Sequence, residues 1–322
     1  MNYPYAWKYF LCYENKLKDR ESGAWKDRVD WYAYGRRQNI EMFERVKIMT
    51  QVLANKNSLT LDDEGIYYFV GGGNAGGYGI VLREKYRRTI EKYRYVLGLL
   101  NSKVLEFYHK HISPIFSGGF YSYGRRYIEQ LPIKLPQNNM ENRLAEEISQ
   151  TVNQIIECNE QIETFKSRIG KFPESYLGDD WTFDKLTNIA KVHLSKSSYK
   201  LSEKTIRTYP FKELEYPFRE VYRIILATKE HIDFYSEEVA SYVLEVLKTM
   251  SRITKRELLE LKIPQQPHLK NLLNQYRKDK EQIVKNEKAV KELEKQIDDL
   301  VYKLYDVTYR ERRIIEDYLT KF

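Results

Sequence analysis

The sequence predicts a mixed domain of the α+β class, followed by a mainly α-helical region with long, heptad-patterned helices. Before Leu135 lie 13 of the 15 glycines and 16 of the 28 tyrosines, among short apolar runs separated by turn residues, a pattern typical of strands. After Leu135, apolar residues recur every seven positions, which is typical of long helices that pack on one another. The length of 322 residues allows about two domains, and no apolar run approaches the ~18 residues of a membrane span.

In the first part of the chain, the apolar pattern changes from helical to strand-like and back. Residues 3–18 have helical spacing and predict a short helix. From Asp30 onward, brief apolar runs predict strands: RVKIMTQVL, GIYYFV and GYGIVL. The segment YRYVLGLLNSKVLEFYHKH recovers a period near 3.6 and predicts a helical stretch.

The later part of the chain contains two heptad patterns. The first places isoleucines seven residues apart at 148, 155, 162 and 169. The second runs from Leu269 to Leu304, although Asp279 and Asn286 interrupt one of its seams. Two long helices are therefore indicated. They can lie against each other as an antiparallel pair, in which each helix rises about 1.5 Å per residue. The alternative, in which each helix packs on its own neighbours in a larger bundle, stays open at this point.

These patterns divide the chain into four parts. Residues 1–135 form an α/β domain in this interpretation, and 136–170 a first long helix. Residues 171–265 read as a helical intervening region, because REVYRIILATK and EEVASYVLEVLKTM have helical patterning. Residues 266–322 form the second long heptad helix and a short C-terminal helix.

We find no group of residues that predicts catalysis by this chain. His109 and His111 are two residues apart at a predicted helix end, which fits charges near a helix C-terminus better than metal ligands. No Gly-x-Ser-x-Gly elbow is present, and Cys158 occupies a heptad position that predicts core packing. The two cysteines give no disulfide framework and the sequence begins without a secretory pattern, so we expect a cytoplasmic protein. Three neighbouring carboxylates fit a solvated turn: Asp62, Asp63 and Glu64.

A glycine-rich segment resembles a dinucleotide-binding motif in letters only. Gly71, Gly73 and Gly76 match Gly-x-Gly-x-x-Gly after a strand-like run. That motif works by opening a helix whose N-terminus faces phosphate, whereas here the strand-like GYGIVL follows. We interpret the segment as a loop between strands.

Basic residues alternate with Tyr, Gln and Gly in the first part of the chain. Residues 1–135 hold 22 Lys and Arg against 14 Asp and Glu, whereas the rest is balanced at 32 each, so the formal charge of +8 resides in the first part. Such side chains neutralise phosphates and bind base edges. The alternative to nucleic-acid binding is a structural role, in which tyrosines at strand spacing are core residues. The candidate DNA contacts are Arg36, Arg37, Gln38, Arg83, Arg87, Arg88, Tyr121, Tyr123, Arg125 and Arg126.

Several of these segments resemble a known family. WYAYGRRQN, RVKIMTQVLA, GYGIVL and above all LGLLNSK…FSGGFYSYGRRYIEQLPI are similar to the TaqI-like C-terminal specificity domain of type IIG restriction-modification enzymes and related adenine methyltransferases. The tail EKQIDDLVYKLYDVTYRERRIIEDYL resembles the family's closing helix. The plan is also similar to that of type I specificity subunits, in which recognition domains alternate with long paired helices.

The resemblance implies that residues 1–135 are a DNA target recognition domain, which reads a short DNA sequence in the major groove. It also implies a helical spacer, beginning with the helix of 136–170. This spacer docks the domain to a methyltransferase or endonuclease region, in cis or in trans, or to a second copy. The catalytic Asn-Pro-Pro-Tyr type motif of such enzymes is absent here, since the sequence has no Pro-Pro dipeptide. We therefore expect a C-terminal fragment or a free-standing specificity protein, with S-adenosylmethionine and Mg²⁺ bound only by the missing catalytic part. The alternative function is a structural coiled-coil assembly protein with an incidental basic surface.

Overall fold

The chain divides into two compact units in the computed structural model, which describes residues 3–35, 39–69, 76–86, 89–201, 207–209 and 220–321. Unit 1 comprises residues 1–101 and 105–132, and unit 2 comprises residues 102–104 and 133–321. The predicted fold class is confirmed: small antiparallel sheets and helices come first, and two long helices that pack together come later. The finer division into a recognition domain, spacer and intervening region stays a prediction.

Short helices and strands alternate in the first part of the chain. The predicted opening helix is present as two short helices, and the later helical stretch is interrupted at Asn101. GYGIVL contains the expected strand, whereas residues 66–69 of GIYYFV form none. The elements are α1 (Pro4–Cys12), α2 (Glu14–Lys18), α3 (Arg20–Gly23), β1 (Lys47–Gln51), β2 (Leu53–Ala54), β3 (Thr60–Asp62), β4 (Gly77–Ile80), α4 (Ile90–Leu100), α5 (Lys103–Ile112), β5 (Ile115–Phe116), β6 (Phe120–Ser122) and α6 (Arg125–Ile128).

Strands β1 and β2 belong to two different antiparallel sheets, with orders β3-β1-β4 and β2-β6-β5. Val52, between them, joins the sheets through its own backbone. Its N–H donates to the carbonyl of Gly76 at 3.0 Å, and its carbonyl accepts from the N–H of Tyr123 at 2.8 Å. Because both polar groups of Val52 are paired, the chain passes from one sheet to the other without losing a backbone hydrogen bond.

A buried ion pair holds the turn after β3. Lys47 and Asp62 face each other across β1 and β3, and the ammonium group donates to the carboxylate. The N–H groups of Gly65, Ile66 and Tyr67 also donate to Asp62, at 2.9 to 3.1 Å. Burial alone would raise the pKa of Asp62, but these hydrogen bonds outweigh it and hold the pKa below its usual value. The prediction that Asp62 lies in a solvated turn is therefore wrong.

Gly65 is required in this turn. Its φ is +69°, and a Cβ there would lie 2.5 Å from the carbonyl oxygen of Glu44. A residue with a side chain would therefore be both strained and in collision with backbone.

Unit 2 combines the two long helices with a small α/β core. Its core is apolar and includes Ile224, Ile232, Phe234 and Val243. The elements are α7 (Asn139–Gly170), β7 (Phe183–Lys185), α8 (Leu186–Ile189), β8 (Ala190–His193), β9 (Ser198–Lys200), β10 (Arg207–Tyr209), β11 (Tyr222–Ala227), β12 (Glu230–Phe234), α9 (Glu237–Lys248), β13 (Arg252–Thr254), α10 (Lys255–Leu259), β14 (Lys262–Pro264), α11 (His268–Leu304) and α12 (Tyr309–Leu319). The strands form a four-stranded antiparallel sheet of order β10-β11-β12-β8 and the pairs β13-β9 and β14-β7.

The prediction of a helical intervening region at 171–265 is wrong, because this segment contains strands β7 to β14. The pattern of REVYRIILATK predicts a helix, yet Tyr222–Ala227 is a strand in which Ile224 and Leu226 are buried at a spacing of two. A short, dense run of apolar residues satisfies either period, and its β-branched residues favour the strand. EEVASYVLEVLKTM does contain the expected helix, α9.

Helices α7 and α11 pack antiparallel, which confirms the first of the two arrangements left open by the sequence. Gln161 pairs with Asn286 at 3.0 Å, and Arg168 pairs with Asp279 at 2.5 Å. Positions rise along α7 as their partners fall along α11, so the helices run in opposite directions. The predicted seam residues Ile148 and Ile162 are buried.

The two polar residues that interrupt the second heptad pattern are paired inside this helix packing. Asp279 is 1% exposed and accepts from Arg168 and from the hydroxyl of Tyr176. Gln275 donates to the same carboxylate at 3.1 Å. Burial would raise the pKa of Asp279, but the bonds from Arg168 and Tyr176 hold it below its usual value. Buried polar residues of this kind fix the register of paired helices.

In the described part of the chain, no helix combines the length and the apolar character that a bilayer span requires. The longest two, α7 with 32 residues and α11 with 37, carry charged residues along their whole length.

We expect Arg168→Met to lower the free energy of unfolding by about 3 kcal/mol, because Asp279 would keep a buried charge without its cation. The double variant Arg168→Met/Asp279→Leu should recover most of that loss, since apolar residues can replace a buried ion pair. Urea unfolding followed by far-UV circular dichroism measures both. Arg143→Met, at an exposed position of α7, is the control. A double variant no more stable than Arg168→Met would contradict the pairing.

Candidate nucleic-acid interface

The structure describes half of the predicted DNA-contacting residues. Arg83 is exposed and follows β4, whereas Arg125 and Arg126 are exposed on α6. Arg83 thus follows a strand of one sheet, and the two other arginines follow a strand of the second sheet. The remaining predicted contacts lie outside the described residues: Arg36, Arg37, Gln38, Arg87 and Arg88.

Tyr121 and Tyr123 lie in the interior, each 1% exposed. They alternate along β6 and its extension, so both side chains point to the same, buried side. Neither ring offers a surface to a DNA duplex, and we leave both out of the contact set proposed below. The alternative from the sequence analysis, that tyrosines at strand spacing are core residues, describes Tyr121 and Tyr123 better than a role as DNA contacts.

Tyr123 anchors the segment that carries the arginines. Its hydroxyl donates to Oδ1 of Asn57 at 2.7 Å, and the amide of Asn57 donates in turn to the carbonyl of Leu100. Burial raises the pKa of Tyr123, which keeps the phenol protonated as a donor. The chain after β6 is thereby tied to the loop after β2 and to the end of α4.

His109 supports the same segment from α5. Its ring stacks on Tyr123 with centroids 4.2 Å apart. Nε2 lies 3.1 Å from the carbonyl of Ser122, which also accepts from the hydroxyl of Ser113 at 2.8 Å. Burial lowers the pKa of His109 to about 4, so the ring is neutral at physiological pH and Nε2–H donates to the carbonyl.

A short hairpin with exposed apolar side chains projects from this anchored base. Strands β5 and β6 pair with Phe116 opposite Phe120. Gly118 and Gly119 form the tip, with φ of +83° and +77°, a conformation that glycine adopts without strain. Ile115 is 60% exposed, and Phe116 and Phe120 are each more than two-fifths exposed. The hairpin therefore presents a narrow apolar ribbon to its surroundings.

Two arginines follow the hairpin directly. Gly124 precedes α6, and Arg125 and Arg126 are its first two residues. The Arg125 side chain is 81% exposed and forms an ion pair with Glu129 at 2.6 Å. Arg126 lies over the ring of Tyr127 at 4.5 Å and donates to its hydroxyl. An exposed pair such as Arg125–Glu129 contributes little to stability, so Arg125 can exchange Glu129 for another anion.

We name this set the hairpin surface: Ile115, Phe116, Phe120, Arg125 and Arg126. The two arginines place positive charge at the base of the hairpin, and the three apolar side chains lie along its strands. Among the described residues, clustered His, Cys and carboxylate side chains that could share a metal ion occur in unit 2, not at the hairpin surface. The arrangement is suited to binding rather than to proton transfer or nucleophilic attack.

Sequence reasoning missed the contacts that hold the hairpin surface in place, and its interpretation of His109 as a charge near a helix C-terminus is wrong, because the ring is buried and neutral. Asn57, His109 and Ser113 are polar groups whose partners lie up to 66 residues away in the chain. Spacing in the sequence gives no signal for such contacts. A signal did exist for the hairpin, because two glycines between Phe116 and Phe120 are typical of a tight strand connection.

We expect His109 to make the protein less stable as the pH falls from about 6.5 towards 4. The folded state holds the pKa of His109 at about 4, below the ordinary value of 6.5. The neutral ring therefore contributes stability above pH 6.5, and this contribution is lost as the unfolded chain gains protons that the folded chain refuses. His109→Gln keeps a donor for Ser122 and should flatten the profile. Thermal unfolding between about pH 5 and 7 measures the effect. His111→Gln, at an exposed site, is the control, and parallel profiles for wild type and His109→Gln would contradict the assignment.

Comparison with known proteins shows a similarity for this part of the chain. Residues 5–133 match the model of the TaqI-like C-terminal specificity domain. Over 156 residues, 47% of this chain, the sequence is 26% identical to the type II restriction enzyme and methyltransferase RM.Eco57I of Escherichia coli. The chain spans only 15% of the length of that relative. The resemblance predicted from the sequence is therefore confirmed, and the part of the chain that contains the hairpin surface is similar to TaqI-like C-terminal specificity domains.

Proposed function

We propose that this chain is a sequence-specific double-stranded DNA recognition module of a restriction-modification system. The observation that carries the proposal is the hairpin surface: a rigidly anchored, two-stranded ribbon with exposed apolar residues and two arginines at its base. It lies within the residues that match a specificity domain.

The chemistry of the hairpin surface suits a DNA major groove. That groove, about 12 Å wide, admits a two-stranded β-ribbon. Phe116 and Phe120 can contact thymine methyl groups there, and Arg125 and Arg126 can bind phosphate or guanine at its edge. Rigidity matters because each misplaced contact loses discrimination, and the pairing of Tyr123 with Asn57 supplies that rigidity.

The charge distribution favours the same partner. All of the net charge of +8 arises before residue 136, and cations that replace the counterions of DNA supply most of the sequence-independent affinity. Additional predicted contacts complete the interface in this proposal: Arg36, Arg37, Gln38, Arg83, Arg87 and Arg88.

In this proposal, catalysis belongs to a different region. A methyltransferase or endonuclease region, in cis or in trans, binds S-adenosylmethionine and Mg²⁺ and acts at the adenine or cleavage site that the module selects. The organisation corresponds to a cytoplasmic type IIG enzyme, and unit 2 acts as the spacer towards the catalytic region. The 15% coverage of the relative is consistent with a module of a larger assembly.

The competing proposal, a coiled-coil assembly protein, has less support. Helices α7 and α11 pack on each other, and their heptad residues Ile148, Ile162, Ile297 and Leu300 are buried. The heptad pattern is therefore satisfied within one chain and needs no second copy. Sedimentation measurements on the full chain test whether it forms a dimer through these helices.

We expect Arg125→Ala/Arg126→Ala to weaken binding of the full chain to a random-sequence duplex by about tenfold, because two phosphate contacts would be lost. The slope of log affinity against log salt should fall by about 2. Fluorescence anisotropy at several salt concentrations measures both quantities.

A matched control exists in unit 2. Arg256 is 86% exposed and pairs with Glu260 four residues later, as Arg125 pairs with Glu129. Arg252→Ala/Arg256→Ala removes the same charge from a different surface and should leave affinity unchanged. Equal losses in the two double variants would show a diffuse charge effect and contradict the interface.

We expect Phe116→Ser/Phe120→Ser to reduce discrimination between the target duplex and random duplex by about tenfold, with little change in binding to random duplex. Apolar contacts in the groove add to specific binding only, and each is worth about 1 kcal/mol or more. Selection from a randomised duplex pool, with the catalytic region supplied where needed, defines the target. Ile314→Ser, at an exposed position of α12, is the control. Unchanged discrimination would exclude the ribbon as the reading element.

A further inference from the structure

The outer face of the four-stranded sheet in unit 2 carries a cluster that the DNA-recognition proposal does not use. His193 on β8 lies directly opposite His231 on β12. Asp233 is two residues after His231 and therefore projects from the same face of the sheet. The opposite face, with Ile232 and Phe234, packs into the apolar core.

The three side chains converge on one point. Nε2 of His193 and Nε2 of His231 lie 3.8 Å and 3.7 Å from the same oxygen, Oδ2 of Asp233. The imidazole rings are 4.4 Å apart and inclined by 23°. Both separations from Oδ2 are too long for hydrogen bonds, so the two nitrogens and the carboxylate face each other across a gap.

We propose that His193, His231 and Asp233 form a binding site for a divalent transition-metal ion of the Zn²⁺ type, with water as the remaining ligand. Two imidazole nitrogens and one carboxylate oxygen are a common ligand set for such ions. Tetrahedral coordination at about 2.0 to 2.1 Å places ligand atoms about 3.3 Å apart. The two Nε2–Oδ2 separations exceed this by a few tenths of an ångström, and small rotations of the half-exposed His193 ring and of the His231 ring can close the difference.

The surroundings hold the ligands as outer contacts of metal sites do. Arg223 donates to both oxygens of Asp233, from Nε at 2.6 Å and from Nη2 at 2.9 Å. Metal-binding histidines and carboxylates typically use their remaining polar atoms in this way.

The nearby cations decide which metals the site prefers. Arg223 is bonded to Asp233, and Lys191 lies opposite Asp233 in the strand register. Two positive charges weaken binding of every cation and leave little attraction for Ca²⁺ or Mg²⁺, which depend on oxygen ligands. Zn²⁺ and Ni²⁺ gain from the two imidazole nitrogens and retain affinity.

A metal here would strengthen the edge of the sheet. The strand order is β10-β11-β12-β8, so β8 is an edge strand, paired with β12. A metal bound by His193 and His231 crosslinks these two strands through side chains. Because such an ion binds the folded state, it stabilises that state by an amount that grows with the logarithm of its concentration above Kd.

The test uses the full chain after removal of metals with EDTA. Isothermal titration with ZnCl₂ should give one site, and thermal unfolding should shift upward with ZnCl₂ and NiCl₂ but not with MgCl₂. His193→Ala should weaken Zn²⁺ binding at least about tenfold. Because His193 is half-exposed, this variant should fold, and His231→Ala and Asp233→Asn provide two further tests of the ligand set.

The control is His111→Ala, which removes an exposed histidine of unit 1. It should leave the Zn²⁺ affinity of the full chain unchanged. Visible absorption of Co²⁺ bound to wild type, and its loss in His193→Ala, reports nitrogen coordination directly. The proposal is overturned if wild type binds no Zn²⁺ at about 1 mM, or if His193→Ala and His231→Ala bind it as tightly as wild type. Neither outcome bears on DNA recognition by unit 1.

Discussion

The carboxylate of Asp279, buried between two helices, is the constraint on which the architecture of unit 2 depends. It needs Arg168 and Tyr176 to remain charged in the interior. Only one register of α7 against α11 places these three groups together, because a shift of one turn would separate them by about 5.4 Å. That register brings the two ends of the segment between the helices to one place. The small α/β core of 171–264 is therefore closed by a polar interaction.

Unit 1 uses the same principle on a smaller scale. Tyr123, Asn57 and His109 are polar side chains whose hydrogen bonds are made inside the protein. Each bond joins segments that are distant in sequence: β6 to the loop after β2, and β6 to α5. The exposed hairpin and the arginines of α6 are thereby attached to a fixed base. A recognition surface needs this separation, in which the interior supplies rigidity and the exterior supplies contacts.

The two units differ in the side chains that form their candidate binding surfaces. In unit 1, the exposed residues of interest are apolar and cationic, which suits a polyanion with apolar groups in its groove. In unit 2, His193, His231 and Asp233 converge on one outer face of a sheet whose other face is core. Strand pairing explains that convergence, since cross-strand partners always share a face. Alternation along a strand places Tyr121 and Tyr123 on one side of β6, and that side faces the interior.

The heptad period is sufficient to predict the long helices, since only a helix packed on a neighbour buries an apolar stripe that recurs every seven residues. Residue patterns also carry the family resemblance of most of residues 1–135 and the concentration of positive charge before residue 136. The remaining features follow from tertiary contacts. Tyr222–Ala227 is a strand because it pairs with neighbouring strands of a sheet, and Asp62 is buried because it pairs with Lys47. Such outcomes depend on contacts between distant residues, and local periodicity carries no information about which distant group will satisfy a polar atom or cover an apolar face.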